Sequence, residues 1–124
     1  MNRTDEEIET QWRFDDAMES MIESVEQFHE RFNVKKNPSM DRFCGNFPHV
    51  VEEIGEVANE INQGRLDGAL EELADVVYAA LDILCHSGQL GVEAIYHVVN
   101  KNNAKTLDTH FKNQSGKIVK LEKP

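Results

Sequence analysis

The chain has 124 residues, the size of one domain, and its 40% hydrophobic residues are enough for one core. Its 23 acidic and 13 basic side chains give a formal net charge of −10, which argues against binding to a nucleic acid polymer or to an anionic membrane. No apolar run approaches the roughly 20 residues of a membrane span, and the acidic N-terminus predicts neither a signal peptide nor a transit peptide. Because Cys44 and Cys85 lie far apart, we expect reduced thiols in a cytoplasmic protein.

The first predicted element is a long amphipathic helix over residues 12–33. Its apolar residues recur every three or four positions and its acidic residues occupy the other face, as in a helix with one buried side. Thr4 and Glu7 have the spacing of a capping box, which would start the helix earlier. The apolar stripe consists of Phe14, Met18, Met21, Val25, Phe28 and Phe32.

A loop and a second helix are predicted next. Residues 33–47 contain a proline and a Cys-Gly-Asn run, which indicate a connecting loop. Within this loop, Ser39 is placed to cap a short turn at 40–43. Pro48 suits the first turn of a helix, so the second helix is predicted over 48–62.

A third helix is predicted over 68–86, with Asp67 as its N-cap, and a fourth over 91–104. Apolar residues cover two opposite sides of the third helix, which is typical of a helix packed between neighbours. The polar tail beyond the fourth helix contains a predicted turn at Ser115 and Gly116.

Short connections between the second, third and fourth helices imply antiparallel neighbours. The sequence therefore predicts an all-α fold, a four-helix-type bundle, in a single domain that spans residues 1–124. The core of this domain is predicted over about 12–106, and a polar, basic tail follows at 107–124. Charge is divided along the chain, because residues 101–124 hold six lysines and two acids whereas the first 100 residues hold 21 acids and seven bases.

Five acidic residues on the second and third helices are the main functional signal. Glu52, Glu53 and Glu56 lie on the second helix, and Glu72 and Asp75 lie on the third. Glu53 and Glu56 share a helix face because they are three residues apart, and so do Glu72 and Asp75. In an antiparallel hairpin centred on the turn glycine, Glu53 faces Asp75 and Glu56 faces Glu72. The spacing therefore predicts four carboxylates at one level of the hairpin.

These four carboxylates have no Lys or Arg three or four residues away in the sequence. Facing carboxylates repel one another unless a positive charge lies between them. A set of oxygen ligands with neither Cys nor His favours a hard divalent cation, Mg²⁺ or Mn²⁺, over Zn²⁺. The alternative interpretation is a solvated acidic face on the bundle surface.

The acidic pattern resembles the signature of the all-α nucleoside triphosphate pyrophosphatase superfamily. In this chain the pattern is Glu52-Glu53-x-x-Glu56, then fifteen residues, then Glu72-x-x-Asp75. The superfamily includes the MazG proteins, dimeric dUTPases, dCTP pyrophosphatases and phosphoribosyl-ATP pyrophosphohydrolases. The resemblance covers roughly residues 12–106.

The resemblance implies a role for each acidic residue. Glu53, Glu56, Glu72 and Asp75 are the expected metal ligands. Glu52 matches the extra acid of the motif, which holds or deprotonates the attacking water. Glu52 and Glu53 are therefore the candidate catalytic residues, and Mg²⁺ is the expected cofactor, with Mn²⁺ as the other possible ion.

A second motif suggests where the substrate binds. Asn102-x-x-Lys105 resembles the signature that follows the fourth helix of the phosphoribosyl-ATP-pyrophosphohydrolase-like branch. The resemblance implies that Asn102 and Lys105 contact phosphate or sugar. Lys101 belongs to the same basic segment and is a further candidate contact, because a lysine meets phosphate as a point charge.

The implied activity is hydrolysis of a small-molecule nucleoside triphosphate at the α–β linkage, giving the monophosphate and pyrophosphate. House-cleaning of surplus or noncanonical nucleotides is the expected role, with phosphoribosyl-ATP hydrolysis and dUTP- or dCTP-specific hydrolysis as alternatives. A metal-binding helical interaction module without catalysis is the alternative from another class. The long apolar stripe of the first helix and the two-sided third helix also indicate a homo-oligomer, a dimer or tetramer as in the family.

Overall fold

The computed structural model describes residues 2–122, which form four helices and one two-stranded antiparallel sheet. The predicted all-α, four-helix class is therefore confirmed, with a small hairpin added at the C-terminal end. Within the described range, none of the helices has the length and apolarity needed to cross a membrane. The elements are α1 (Asp5–Arg31), α2 (Met40–Asn62), α3 (Leu66–His86), α4 (Gln89–Asn103), β1 (His110–Lys112) and β2 (Ile118–Lys120).

Helix α1 begins at Asp5, well before the start predicted from its apolar stripe. Its N-terminus is a complete capping box, in which the Thr4 hydroxyl accepts from the Glu7 amide at 3.1 Å and the Glu7 carboxylate accepts from the Thr4 amide at 2.7 Å. Three acidic residues in the first turn also suit the positive end of the helix dipole. The cap and the dipole explain why the helix extends beyond its apolar stripe.

Helix α2 departs most from the prediction. The predicted loop over 33–47 ends at Ser39, whose hydroxyl caps α2 by accepting a backbone amide at 3.2 Å. The helix then runs through Pro48, which lies in its interior and not in its first turn. A proline in a helix interior removes one helical hydrogen bond. The helical turn before Pro48 is supported by the rings of Phe43 and Phe47, which stack with their centroids 5.6 Å apart. The predicted start at Pro48 was therefore wrong.

Helices α2 and α3 form the predicted antiparallel hairpin, with Gly64 at φ +69° in the turn. The predicted N-cap, Asp67, was wrong, because α3 begins one residue before it and Arg65 occupies the cap position. Arg65 makes a two-pronged ion pair with Glu60 at 2.6 and 3.0 Å, which holds the chain at the point where α3 starts. Asp67 instead accepts a hydrogen bond from the Gly68 amide at 3.0 Å.

The chain forms two compact units, Met1–Gly91 and Val92–Pro124. In the first unit α3 packs against both α1 and α2, and its buried side holds Ala79 and Ile83. These residues form a small apolar core with Val50 of α2. Few other apolar side chains are buried, so much of the apolar surface of this unit stays exposed.

The second unit contains most of α4 and the β1–β2 hairpin. The strands pair with Phe111 opposite Val119, and the predicted turn at Ser115 and Gly116 is observed between them. Gly116 has φ +86°, a value that favours glycine. The Ser115 backbone amide donates a hydrogen bond to Asn113 Oδ1 at 3.0 Å. This polar turn fixes a hairpin within the segment predicted only as a tail.

Candidate metal centre

Three of the predicted metal ligands meet where α2 and α3 cross. Glu53 and Glu56 lie one turn apart on α2, and Glu72 lies on the facing turn of α3. One carboxylate oxygen from each residue lies within 4.8 Å of one from each of the other two. The hairpin therefore brings together three of the four carboxylates that the register of the sequence predicted at one level, and Asp75 lies outside this group.

The other two acids of the motif lie outside this cluster of three. Asp75 is exposed on α3, one turn beyond Glu72, and its charge still contributes to raising the pKa of Glu72. Glu52 is also exposed, with 74% of its side chain accessible, while the neighbouring Glu53 side chain is only 15% accessible. Glu53 and Glu72 are therefore partly buried, whereas Glu56, like Glu52 and Asp75, is exposed.

Within the cluster, burial and the neighbouring acids both act on the carboxyl group of Glu72. Removal from water raises the pKa of Glu72 to about 7, and a hydrogen bond to Glu56 and the nearby negative charges act in the same direction. One oxygen of Glu72, Oε2, is shielded from solvent and has no hydrogen-bond partner among the described residues. A proton or a cation at this oxygen would offset the repulsion from the neighbouring carboxylates.

The donor set fits a hard divalent cation. Carboxylate oxygens are the ligands that Mg²⁺ and Mn²⁺ prefer, and the grouped ligand atoms include no sulfur and no imidazole nitrogen. A shielded, unpartnered oxygen beside two further carboxylates is costly unless positive charge is supplied. The residues present therefore fit Mg²⁺ or Mn²⁺.

His49 is a neighbour of this site that the sequence analysis did not predict. Its Nδ1 lies 3.7 Å from Glu52 Oε2, and its Nε2 lies 3.7 Å from Glu53 Oε1. His49 precedes these two acids by three and four residues, the spacing that places side chains together on a helix face. That helical spacing is the signal in the sequence that could have indicated this contact.

The predicted substrate-binding residues lie in the second unit. The Asn102 side chain accepts a hydrogen bond from Lys105 Nζ at 2.9 Å and donates one to the Val98 carbonyl at 2.9 Å. Lys101 lies in the last turn of α4 and is exposed. The Asn102–Lys105 pair is therefore a preformed local contact that holds one ammonium group in place.

Comparison with known families identifies the family to which this segment of the chain is similar. A family model described as the MazG nucleotide pyrophosphohydrolase domain matches residues 44–110. No curated protein and no solved structure matches the chain. The matched segment contains the five acids and both Asn102 and Lys105. Because this segment is more than half of the chain, the chain belongs to the MazG nucleotide pyrophosphohydrolase domain family.

Proposed function

We propose that this protein is a Mg²⁺-dependent nucleoside triphosphate pyrophosphohydrolase that cleaves the α–β linkage and releases the monophosphate and pyrophosphate. The observation that carries this proposal is the group of three carboxylates, with its shielded, unpartnered Glu72 oxygen, inside a MazG domain. House-cleaning of nucleotides is the role we assign to this activity.

In this proposal Glu53, Glu56 and Glu72 hold the cation from the hairpin, and Asp75 completes the set from the adjoining turn of α3. When bound, Mg²⁺ supplies the positive charge that neutralises phosphate oxygens and activates water. Mn²⁺ has the same ligand preferences and would substitute for it. The acids of the chain thus serve to recruit the cation that a polyphosphate requires.

Glu52 is the proposed general base. It adjoins the ligand Glu53, yet its own carboxylate is exposed and reachable by water. A carboxylate in this position orients the attacking water and accepts its proton as the phosphoric anhydride bond breaks. Glu53 would contribute to catalysis by holding the cation.

Lys101 and Lys105 are the proposed phosphate contacts, with Asn102 positioning Lys105. The bond between Asn102 and Lys105 limits the freedom of the ammonium group, so less entropy is lost when phosphate binds. Each ammonium also offsets the repulsion between the acidic chain and a polyanionic substrate.

A homodimer or homotetramer is the proposed assembly. Large apolar side chains of α1, α2 and α3 are more than half exposed, more than a stable monomer usually leaves in water. Sedimentation or light scattering tests this point directly, and a monomeric mass at micromolar concentration would contradict it. The exposed residues include Trp12, Phe14, Ile61, Leu66 and Leu70.

The defining experiment measures pyrophosphate release across a substrate panel with Mg²⁺, with Mn²⁺ and with EDTA. The panel contains canonical and noncanonical nucleoside triphosphates, dUTP, dCTP and phosphoribosyl-ATP, which separates house-cleaning from the two more specific alternatives. We expect release from at least one member of the panel and none in EDTA. If the folded, metal-loaded protein released pyrophosphate from no substrate, the helical interaction module would be the better interpretation.

A further inference from the structure

The second unit contains a pocket that the metal centre does not explain. Its volume is about 430 Å³, within the range of small-molecule sites, and it lies between the end of α4 and the β1–β2 hairpin. Leu107, Phe111 and Ile118 supply its apolar wall. Phe111 is 46% exposed, so part of its ring is available to a ligand.

The polar lining of this pocket is positive. Lys105 and Lys112 both line it, and no acidic residue does. This lining contrasts with the net charge of −10 carried by the whole chain. The two ammonium groups therefore favour an anion in this pocket.

Two of the polar lining groups are held in place by their neighbours. Lys105 Nζ is fixed by Asn102 Oδ1 at 2.9 Å. The His110 ring lies against the Thr109 hydroxyl, with Nδ1 and Oγ1 at 2.7 Å, and no described residue forms a hydrogen bond with its Nε2. The pocket thus offers one oriented ammonium and one imidazole nitrogen to a ligand.

We propose that this pocket binds the nucleotide substrate, with Phe111 stacked on the base and Lys112 joining Lys105 at the phosphates. The proposal rests on the proposed function, because a pyrophosphohydrolase must recognise a base as well as a polyphosphate. An aromatic ring with flanking ammonium groups is the combination that recognises a nucleotide through stacking and charge. Phe111 and Lys112 are therefore assigned as specificity and binding residues beyond the family motif.

The test measures binding in EDTA, so that the metal centre cannot contribute. The probes are a non-hydrolysable α,β-methylene nucleoside triphosphate and inorganic pyrophosphate, titrated by calorimetry. We expect Phe111→Ala to weaken nucleotide binding by about tenfold to a hundredfold, with pyrophosphate binding unchanged, because only stacking is lost. Phe111→Tyr retains an aromatic ring and should restore nucleotide affinity.

Lys112→Ala should weaken binding of both probes, and the effect should shrink as salt is added. Lys117→Ala is the matched control, since it removes the same charge from the turn of the same hairpin but does not line the pocket. The proposal is overturned if wild type binds no nucleotide in EDTA, or if Phe111→Ala and Lys112→Ala bind like wild type.

Hydrolysis assays separate this proposal from the proposed function. If Mg²⁺-dependent release occurs and the KM of Phe111→Ala equals that of wild type, the pocket assignment is wrong while the activity stands. If nucleotide binds in a manner that depends on Phe111 but no substrate is hydrolysed, the pocket stands and the proposed activity is wrong. Glu56→Gln should lose hydrolysis and keep metal-free nucleotide binding.

Discussion

Glu72 of α3 lies against Glu56 of α2, so two carboxyl groups meet where these helices face each other. Partial burial first, and then the contact with Glu56, raise the pKa of Glu72 to about 7, and its Oε2 has no hydrogen-bond partner among the described residues. A stable fold does not usually hold such a pair unless another charge joins it. The Glu56–Glu72 contact is therefore the feature from which the metal-dependent predictions follow.

Cation binding should release protons at acidic pH. Because the pKa of Glu72 is about 7 without metal, Glu72 is largely protonated at about pH 6 and largely ionised at about pH 8.5. Calorimetric titration with Mg²⁺ in buffers of different ionisation enthalpy should show close to one proton released at the lower pH. At the higher pH Mg²⁺ should bind more tightly and release almost none. An equal affinity at both pH values would contradict the raised pKa.

The metal-free protein should lose stability as Glu72 ionises. Since the native state holds this proton more tightly than the unfolded chain, stability falls as pH rises from about 4.5 towards about 7. Glu72→Gln should remove this dependence and raise the Tm of the metal-free protein at about pH 8, while abolishing the rise in Tm that Mg²⁺ produces. Glu71→Gln, an exposed neighbour on α3, is the control and should change neither.

Protonation of His86 should destabilise the first unit in acid. His86 is 1% exposed, and Asn46 Nδ2 lies 3.3 Å from its Nε2, so the neutral ring accepts a hydrogen bond that a protonated ring cannot. Burial first, and then the charge of Arg42, lower the pKa of His86, against the opposing effect of Asp82. The centroid of the His29 ring, which contacts Asp82, lies 6.2 Å from that of His86, and His29 also contributes to lowering the pKa of His86.

The sign of this effect follows from the lowered pKa. The native state binds the His86 proton less tightly than the unfolded chain, so stability is lost as pH falls below about 6.5. Urea unfolding between about pH 5 and pH 7.5 should show this slope, and His86→Gln should flatten it. His97→Gln, on the exposed surface of α4, should leave the slope unchanged. Identical slopes in all three proteins would refute the assignment.

Close backbone packing at Gly91 should make that position intolerant of a side chain. A Cβ at Gly91 would lie 1.9 Å from the Leu84 carbonyl oxygen, and a backbone atom cannot move aside as a flexible side chain can. Gly91→Ala should therefore cost about 1–3 kcal/mol in the free energy of unfolding. Gly45→Ala is the contrasting variant, because no atom beyond its chain neighbours and the adjoining backbone of its own helix lies within 4 Å of its Cβ position. It should stabilise α2 by about 0.5–1 kcal/mol.

Sequence patterning predicted the hairpin and its acid register well. The positions of Glu53, Glu56 and Glu72 follow from helical spacing and an antiparallel turn at Gly64, both of which are local rules. Asp75 shares this spacing, but its distance from the other carboxylates depends on side-chain length and on how each helix is rotated. Those quantities are set by packing, which a periodic pattern does not contain.

Other features were missed because tertiary contacts override local signals. Pro48 indicates a helix start by its local preference, yet α2 extends across it from the cap at Ser39. The sequence did not predict that His29 and His86 are both buried, on different helices, or that Asp82 contacts His29. Contacts between residues more than fifty positions apart leave no signal in a single sequence.

The most direct test of the metal centre is pyrophosphate release by Glu53→Gln and Asp75→Asn in saturating Mg²⁺. Both variants preserve side-chain size and remove one negative charge, and Glu71→Gln provides a neighbour with the same change outside the motif. We expect Glu53→Gln and Asp75→Asn to lose Mg²⁺-dependent release while their far-UV helix content and the activity of Glu71→Gln match wild type. Full activity in Glu53→Gln and Asp75→Asn would contradict a catalytic metal held by the α2–α3 hairpin.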